Sequence, residues 1–433
     1  MNTSAVTPPS PKPSGAYELV RLGYVARLQN GLTVDAKRDV TGDVVTSPYL
    51  RVANVQAGSL DLESVTEITV PRSVAQRSTL RPGDVLMTEG GDLDKLGRGT
   101  VWQGELDRCL HQNHIFAVRP DAQRLSGRFL AYVTQSLYGR HYFESTGTKT
   151  TNLASTNSSK IQSFPLPLPP LDEQRRIADF LDAETSHLDL LAGKRDLQLG
   201  LLKRRRFSLV REVLMSGLRG AQTETTDLGW LPKHPADWSL VPLRYISQCL
   251  DGKRIPLSSQ ERSSRQGPYP YYGASRVVDH VDDYLFDEPL VLFGEDGAQL
   301  GNPNLEVSFF VEGKIWVNNH AHVLRPTGIH GRLLSEILNV FDRELCMSGA
   351  TREKITQEGM NGILVPVPPQ DQQHELVEWI SAEQAKGNRL EESLRRQLSL
   401  LTERRQALIT AAVTGQFDVS TASGRNVTDG VTA

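Results

Sequence analysis

The sequence predicts a mixed α/β protein made of two α/β domains, each followed by a long helix, with an internal pseudo-two-fold repeat. Three observations carry this. A helical stretch of about 48 residues occurs twice; each copy follows roughly 140 to 150 residues of short β-like runs; and those two preceding segments echo one another only faintly. At 433 residues, 38% hydrophobic and 23% charged, the chain is long enough to bury two or three cores.

In chain order, residues 1–16 are Pro/Ser/Thr-rich, without the apolar run of a signal peptide, and read as disordered. Residues 17–165 form the first globular segment, with β-like runs such as Tyr49-Leu50-Arg51-Val52. Next comes the first helix region, 166–220. Its start, Leu168-Pro169-Pro170-Leu171-Asp172-Glu173-Gln174, returns as Val367-Pro368-Pro369-Gln370-Asp371-Gln372-Gln373, an offset of 199 residues. The same offset carries Phe180 onto Trp379, Ala183-Glu184 onto Ala382-Glu383, and Arg205-Arg206 onto Arg404-Arg405. Prolines at 165, 167, 366 and 368 force an extended approach to each helix. Asp172 and Asp371 are expected to cap the first free amides, and Gly217 and Gly415 to stop the helices.

Leu390, Leu394, Leu398, Leu401 and Leu408 follow the 3-or-4 spacing of one helical face. Their counterparts Leu191, Leu199, Leu202 and Leu209 do the same, with Arg195 as the break. A stripe of this kind ordinarily lies on its own domain's core; because it recurs at matching positions, mutual pairing of the two copies is expected. Gly193, Gly200 and Gly387 weaken the helices locally.

The second globular segment, 228–365, holds runs such as Pro289-Leu290-Val291-Leu292-Phe293, and the second helix region covers 366–418. Gly83-Asp84-Val85-Leu86-Met87 resembles Glu288-Pro289-Leu290-Val291-Leu292, and Asn113-His114 before Arg119-Pro120 resembles Asn319-His320 before Arg325-Pro326. Two diverged globular segments, each followed by a much less diverged helix, suggest one scaffold carrying two different binding units. The Ser/Thr/Gly-rich tail from Val419 reads as disordered.

Several chemistries are excluded by what the chain lacks. Cys109, Cys249 and Cys346 lie far apart and outside Cys-x-x-Cys spacing, which argues against a cysteine-rich zinc site or a disulfide framework. No GxxxxGK[ST] loop or Asn/Asp-Pro-Pro-aromatic motif occurs, and Gly90 to Gly97 reads as a turn. Asp296 with Glu312-Gly313-Lys314 resembles a nuclease signal, but the acid-x-Lys pattern recurs at Asp35-Ala36-Lys37 and Asp251-Gly252-Lys253, so chance explains it. His114, His320 and His322 have no companion at ligand spacing and read as structural histidines on strands. No run approaches the ~18 apolar residues of a membrane span.

The net charge of −3 is unusual for a nucleic-acid binder, but it is distributed unevenly: residues 1–165 carry +3 and residues 227–365 carry −5. DNA contact would therefore come from local clusters. Reading bases needs long polar side chains on loops, backed by phosphate contacts. The first segment offers Tyr49, Arg51 and Asn54 on one loop and Thr148, Lys149 and Asn152 on another; the second offers Lys253-Arg254, then Tyr272, Ser275 and Arg276, then Thr351, Arg352 and Lys354. Arg51, Lys149, Arg276 and Arg352 lead the set.

From Tyr17 to Phe417 the chain resembles the specificity subunits of Type I restriction and modification systems. The resemblance rests on Pro48-Tyr49-Leu50-Arg51-Val52-Ala53-Asn54-Val55, the doubled Pro-Pro-x-Asp-x-Gln, Gly229-Trp230-Leu231-Pro232, Tyr271-Tyr272-Gly273-Ala274, and Val281-Asp282-Asp283-Tyr284-Leu285-Phe286 leading into Gly294-Glu295-Asp296-Gly297-Ala298. It implies two target-recognition domains, each reading half of a split double-stranded DNA site, separated by two long antiparallel, coiled-coil-like helices acting as a ruler. It further implies two methyltransferase (M) subunits and restriction/translocase (R) subunits as partners and no cofactor in this chain; the missing apolar span and signal run are read as a cytoplasmic location with no membrane partner. S-adenosylmethionine, ATP and Mg would belong to the partners. The rivals are a reader fused to its own catalytic core, for which no motif is found, and a protein-binding adaptor without DNA.

Overall fold

The computed structural model describes residues 17–34, 41–56, 58–91, 96–149, 154–297, 300–302, 305–348 and 354–419. The chain divides into two compact units, residues 1–193 with 398–433, and residues 194–397. The units therefore do not stop at the globular segments read from the sequence. Each takes the first half of one long helix and the second half of the other.

The first unit is built on a four-stranded antiparallel sheet in the order Ala26–Asn30, Ile115–Pro120, Val85–Thr88, Gly99–Val101. Its two central strands are buried on both faces, and their alternation sorts the side chains into two cores. Val85, Met87, Phe116 and Val118 face the helix Gly127–Gln135 and pack with Phe129, Leu130 and Val133. Leu86, Ile115 and Ala117 face the opposite way, onto Leu50, Leu80 and Trp102. On that side Val44–Leu50 pairs antiparallel with Thr66–Pro71 and parallel with Leu110–His111.

The second unit repeats this plan. Its sheet runs Ser247–Cys249, Ala321–Pro326, Leu290–Gly294, Ser308–Val311. Val291, Phe293 and Leu324 pack with Leu334, Ile337 and Leu338 from the helix Gly331–Val340, while Leu290, Leu292 and Val323 face the other way. The parallel pairing recurs between Tyr269–Tyr272 and Lys314–Val317. Strand partners set the correspondence: Val85 lies opposite Val118 as Val291 lies opposite Leu324, so the match read from the sequence shifts by one residue along this strand.

The proline approaches are extended as expected. Pro165–Pro167 pairs with Leu19–Arg21, and Leu364–Val367 pairs with Ser239–Pro242, so each helix leaves from the edge of a two-stranded ribbon, where a missing N–H is tolerated. The helices are Leu171–Ser216 and Gln370–Val413. Both end before a left-handed glycine, Gly217 at φ 67° and Gly415 at φ 71°. Asp172 and Asp371 lie inside the first turn, where they favour the helix dipole, and do not cap it.

The residue that anchors each helix start is the glutamine of the repeated motif. Gln174 is buried, donates to Pro169 O (2.8 Å) and Arg124 O (2.9 Å), and accepts from Ser126 N (2.9 Å). Gln373 does the same with Pro368 O (3.0 Å), Gly328 O (3.4 Å) and His330 N (2.8 Å). Each one fastens a long helix to the start of its unit's sheet-facing helix.

Within the first unit the two helix halves run antiparallel: Asp189 meets Arg405 at 3.1 Å, and the Phe180 ring lies 5.6 Å from that of Phe417. The expected leucine stripe is only part of what is buried. Leu199, Leu394 and Leu408 are inside, but Leu390 is half exposed. The helices' deepest apolar residues include Ile177, Leu181, Ile409 and Val413 in the first unit's core, and Leu214, Leu376 and Ile380 in the second's. Each helix therefore starts on the domain that precedes it, with Ile177 and Leu181 or Leu376 and Ile380, and its far end is buried in the other unit's core, with Leu214 or with Ile409 and Val413. Among the described residues no helix is long and apolar enough to cross a membrane. The readings of disorder at 1–16 and beyond Val419 lie outside the described residues.

Candidate nucleic-acid interface

In both units the polar loops gather at one end of the sheet, where the Val85–Thr88 and Leu290–Gly294 strands run out. In the first unit Glu89 N donates to His114 O (2.9 Å), and Thr156 N donates to Glu89 O (2.7 Å). This brings in a small ribbon: Gly90–Gly91 pairs with Ala154–Ser155, which pairs with Thr148–Lys149. The loop after Leu50 is tied to the same place, since Gln112 N donates to Leu50 O (2.8 Å) and Val52 N to Gln112 Oε1 (3.3 Å). Arg51, Gln112, His114, Glu89 and the Thr148–Lys149 ribbon therefore share one end of the domain.

The second unit reproduces this frame. Glu295 N donates to His320 O (2.9 Å), Ile355 N to Glu295 O (2.9 Å), and Asn318 N to Tyr272 O (3.1 Å). Met347–Ser348 pairs with Lys354–Ile355 in the place of the first unit's ribbon. Gly294 is required here, because a Cβ on it would stand 2.6 Å from Ala274 O.

On this common frame the side chains differ. In the first unit Glu89 Oε2 lies 2.5 Å from His114 Nδ1, and Lys160 Nζ donates to Thr148 Oγ1 (2.9 Å). In the second, Glu295 accepts from Arg254 Nη1 (3.0 Å) and Lys354 Nζ (3.1 Å), while Asp296 lies 3.0 Å from His320 Nδ1 and 3.6 Å from Lys354 Nζ. Beneath them Asp251 accepts from Val323 N (2.8 Å) and pairs with His322 Nδ1 at 2.6 Å and Arg254 Nη2 at 3.4 Å. Burial alone would raise the Asp251 carboxyl, but those hydrogen bonds and neighbouring positive charge outweigh it and hold it below the usual range.

Several sequence candidates are corrected by this geometry. Tyr49 is 2% exposed and its hydroxyl donates to Leu32 O (2.6 Å); its counterpart Tyr271 is equally internal. Asn54 is buried, accepting from Arg51 N (2.8 Å) and donating to Asp61 O (2.9 Å), so it shapes the loop. Arg254 is committed to Glu295 and Ala321 O (2.8 Å), and Tyr272 is half-buried against an apolar cluster. A polar residue in a loop-like sequence looks available, but the parallel strand pairs draw these inward.

Arg51, Thr148, Lys253 and Arg276 are exposed. Lys354 is partly exposed and ion-paired. Arg276, whose carbonyl accepts from Gly273 N (2.9 Å), and the half-buried Ser275 follow Ala274 at this strand end and also line a cavity of about 890 Å³ whose walls include Arg206, Glu336 and Gln384. Lys149 lies on the ribbon, whereas Asn152, Thr351 and Arg352 fall outside the described residues. Of the three histidines, His322 is structural as read. His114 and His320 sit in turns before their strands, with 54% and 43% of the side chain exposed. The echoed Asn-His was the signal for them. Among the described residues no group of three or more His, Cys, Asp or Glu is placed to hold a metal ion.

Residues 15–199 and 235–400 each match the model of the Type I restriction modification DNA specificity domain. The chain belongs to that family. Membership places it among the non-catalytic DNA-recognition components of type I systems. The specificity chain is 20% identical to the putative type I restriction enzyme MjaX specificity subunit of Methanocaldococcus jannaschii, across 91% of this chain and 92% of the relative. It is 26% identical to the type I restriction enzyme EcoKI specificity subunit of Escherichia coli, across 86% and 82% of the two. In fold it is similar to a chain from a solved structure concerned with complex assembly and conformational transition of the type I R-M system, with a TM-score of 0.66 at 18% identity, covering 94% of this chain and all of that one.

Proposed function

We propose that each unit reads one half of a bipartite double-stranded DNA target, and that the chain directs adenine methylation or restriction of that target by partner subunits in the cytoplasm. One observation carries the reading: the same backbone frame occurs at the same end of both sheets, while most side chains mounted on it differ. A shared frame with divergent side chains is what two readers of unlike half-sites need.

Two methyltransferase subunits and the restriction/translocase subunits would supply S-adenosylmethionine, ATP and Mg chemistry. Exposed leucines along the long helices, Leu190, Leu197, Leu201, Leu390 and Leu400, support their role as the surface on which partners assemble. The test is to exchange residues 17–165 for the matching segment of a relative and map the methylated motif. One half should change and the other persist. If both halves changed together, the two-reader scheme would be wrong.

A further inference from the structure

Since most exposed positions differ between the units, an exposed feature present in both marks something that both do. The carboxylate–histidine pair at the end of the central strand is such a feature. His114 and His320 occupy equivalent turns, each receiving on its carbonyl the N–H of the residue that ends the strand, Glu89 or Glu295. The carboxylate that holds the ring is not equivalent. In the first unit it is Glu89; in the second Glu295 is taken by Arg254 and Lys354, and Asp296, one residue further on, holds the ring. The anchoring acid has moved along the chain while the ring has kept its place, which singles out the ring as the working part.

An ionised carboxylate only accepts hydrogen bonds, so the hydrogen between the partners belongs to Nδ1. In the neutral ring Nε2 is then an acceptor. Both rings are about half exposed, and among the described residues neither Nε2 has a hydrogen-bond partner. In the second unit Asp296 is nearly buried, at 4%, behind the ring it holds.

We propose that His114 and His320 each use Nε2 to accept a hydrogen bond from the exocyclic amino group of a base in the major groove, adenine N6 or cytosine N4. These amino groups are the hydrogen-bond donors the major groove offers. Phosphate oxygens only accept, and the carboxylate behind each ring repels them. Glu89 and Asp296 are positioning residues that fix the tautomer and aim the ring. The inference rests on the DNA-reading function proposed above.

The test uses the whole chain assembled with its modification subunits, comparing His114→Phe, His320→Phe and the acceptor-retaining His114→Gln and His320→Gln. The readouts are the methylated motif by single-molecule sequencing, affinity for cognate DNA against salt, and the melting temperature. Each Phe variant should lose about five- to tenfold in cognate affinity and relax one A- or C-bearing position in one half-site only, with the salt slope unchanged. The Gln variants should recover most of the affinity and restore preference at that position. Melting should be the same for each Phe and Gln pair. A motif that stays sharp in folded Phe variants overturns the proposal. So does an even loss over all sequences with a shallower salt slope, the mark of a phosphate contact. Failure of the DNA-reading function itself would look different, because the wild-type assembly would then methylate no split motif.

Discussion

The two units solve one packing problem twice and one charge problem in opposite ways. Their sheets have the same strand order, their central strands divide side chains between two cores by the same alternation, and Gln174 and Gln373 make matching sets of three hydrogen bonds. Their charges differ: +3 over residues 1–165 against −5 over 227–365. The second unit also holds many of its arginines in ion pairs: Arg254 is met by Glu295, Arg262 by Asp279, Arg265 by Asp282 and Arg325 by Glu288. Each pair uses a positive charge as well as a negative one, so the excess of acids remains while these arginines are held in place, and the position of the unpaired charges matters more than the net value for the field such a surface presents. The lesson is that packing constrains the frame while the strand-end side chains are free to vary.

The comparison can be broken most strongly by altering what joins the units while leaving each intact. Inserting four residues near Gln198 lengthens that helix by about 6 Å and, at ~3.6 residues per turn, nearly preserves its face. With B-DNA rising ~3.4 Å per base pair, the spacer of the methylated motif should grow by about one or two base pairs, with both half-sites unchanged. An active variant with its original spacer would show that the helices are not the ruler.

Acid should separate the units next. His111 is fully buried, and desolvation lowers its pKa to about 4. The unfolded chain takes up that proton near pH 6.5, so the contribution is complete above about 6.5 and is lost on the way down to about 4, amounting to roughly 3 kcal/mol. In the second unit the partly exposed His330 is lowered too, by burial and by the nearby Arg332 and His374, and gives a smaller loss in the same window, while Asp251, also depressed, begins to matter only below 3.8. Hydrogen exchange between pH 7 and 4.5 should therefore show protection falling first around the Ile115–Pro120 strand of the first unit, and equal loss in both units would contradict this.

Gln174→Leu and Gln373→Leu should each cost about 2 kcal/mol, because each strands a buried N–H and two carbonyls. Denaturant melts that differ between the two by more than about 1 kcal/mol would mean the clamps are not equivalent. The smallest effect is expected at Gly200, where a Cβ meets nothing within 4 Å and the matching position of the other helix is Ser399. Gly200→Ala should stabilise the chain by about 0.5–1 kcal/mol in the same assay.

The duplication, the extended proline approaches, the helices and their glycine stops are legible along the chain, because these follow from local rules: a missing N–H, a positive φ, a 3-or-4 spacing. So is the echo of Asn113-His114 in Asn319-His320. Which polar residues face outward depends on how the segments fold together. Tyr49 and Asn54 sit in a loop-like stretch, yet parallel pairing with Leu110–His111 and the carbonyls of Asp61 and Ser64 take them inside. Likewise the glutamine of the repeated motif read as one more polar helix residue, until the chain brought carbonyls and an N–H from some fifty residues away to meet it. Burial and hydrogen-bond partnership are long-range properties, set by which segments meet, and no window of sequence around these residues contains that information.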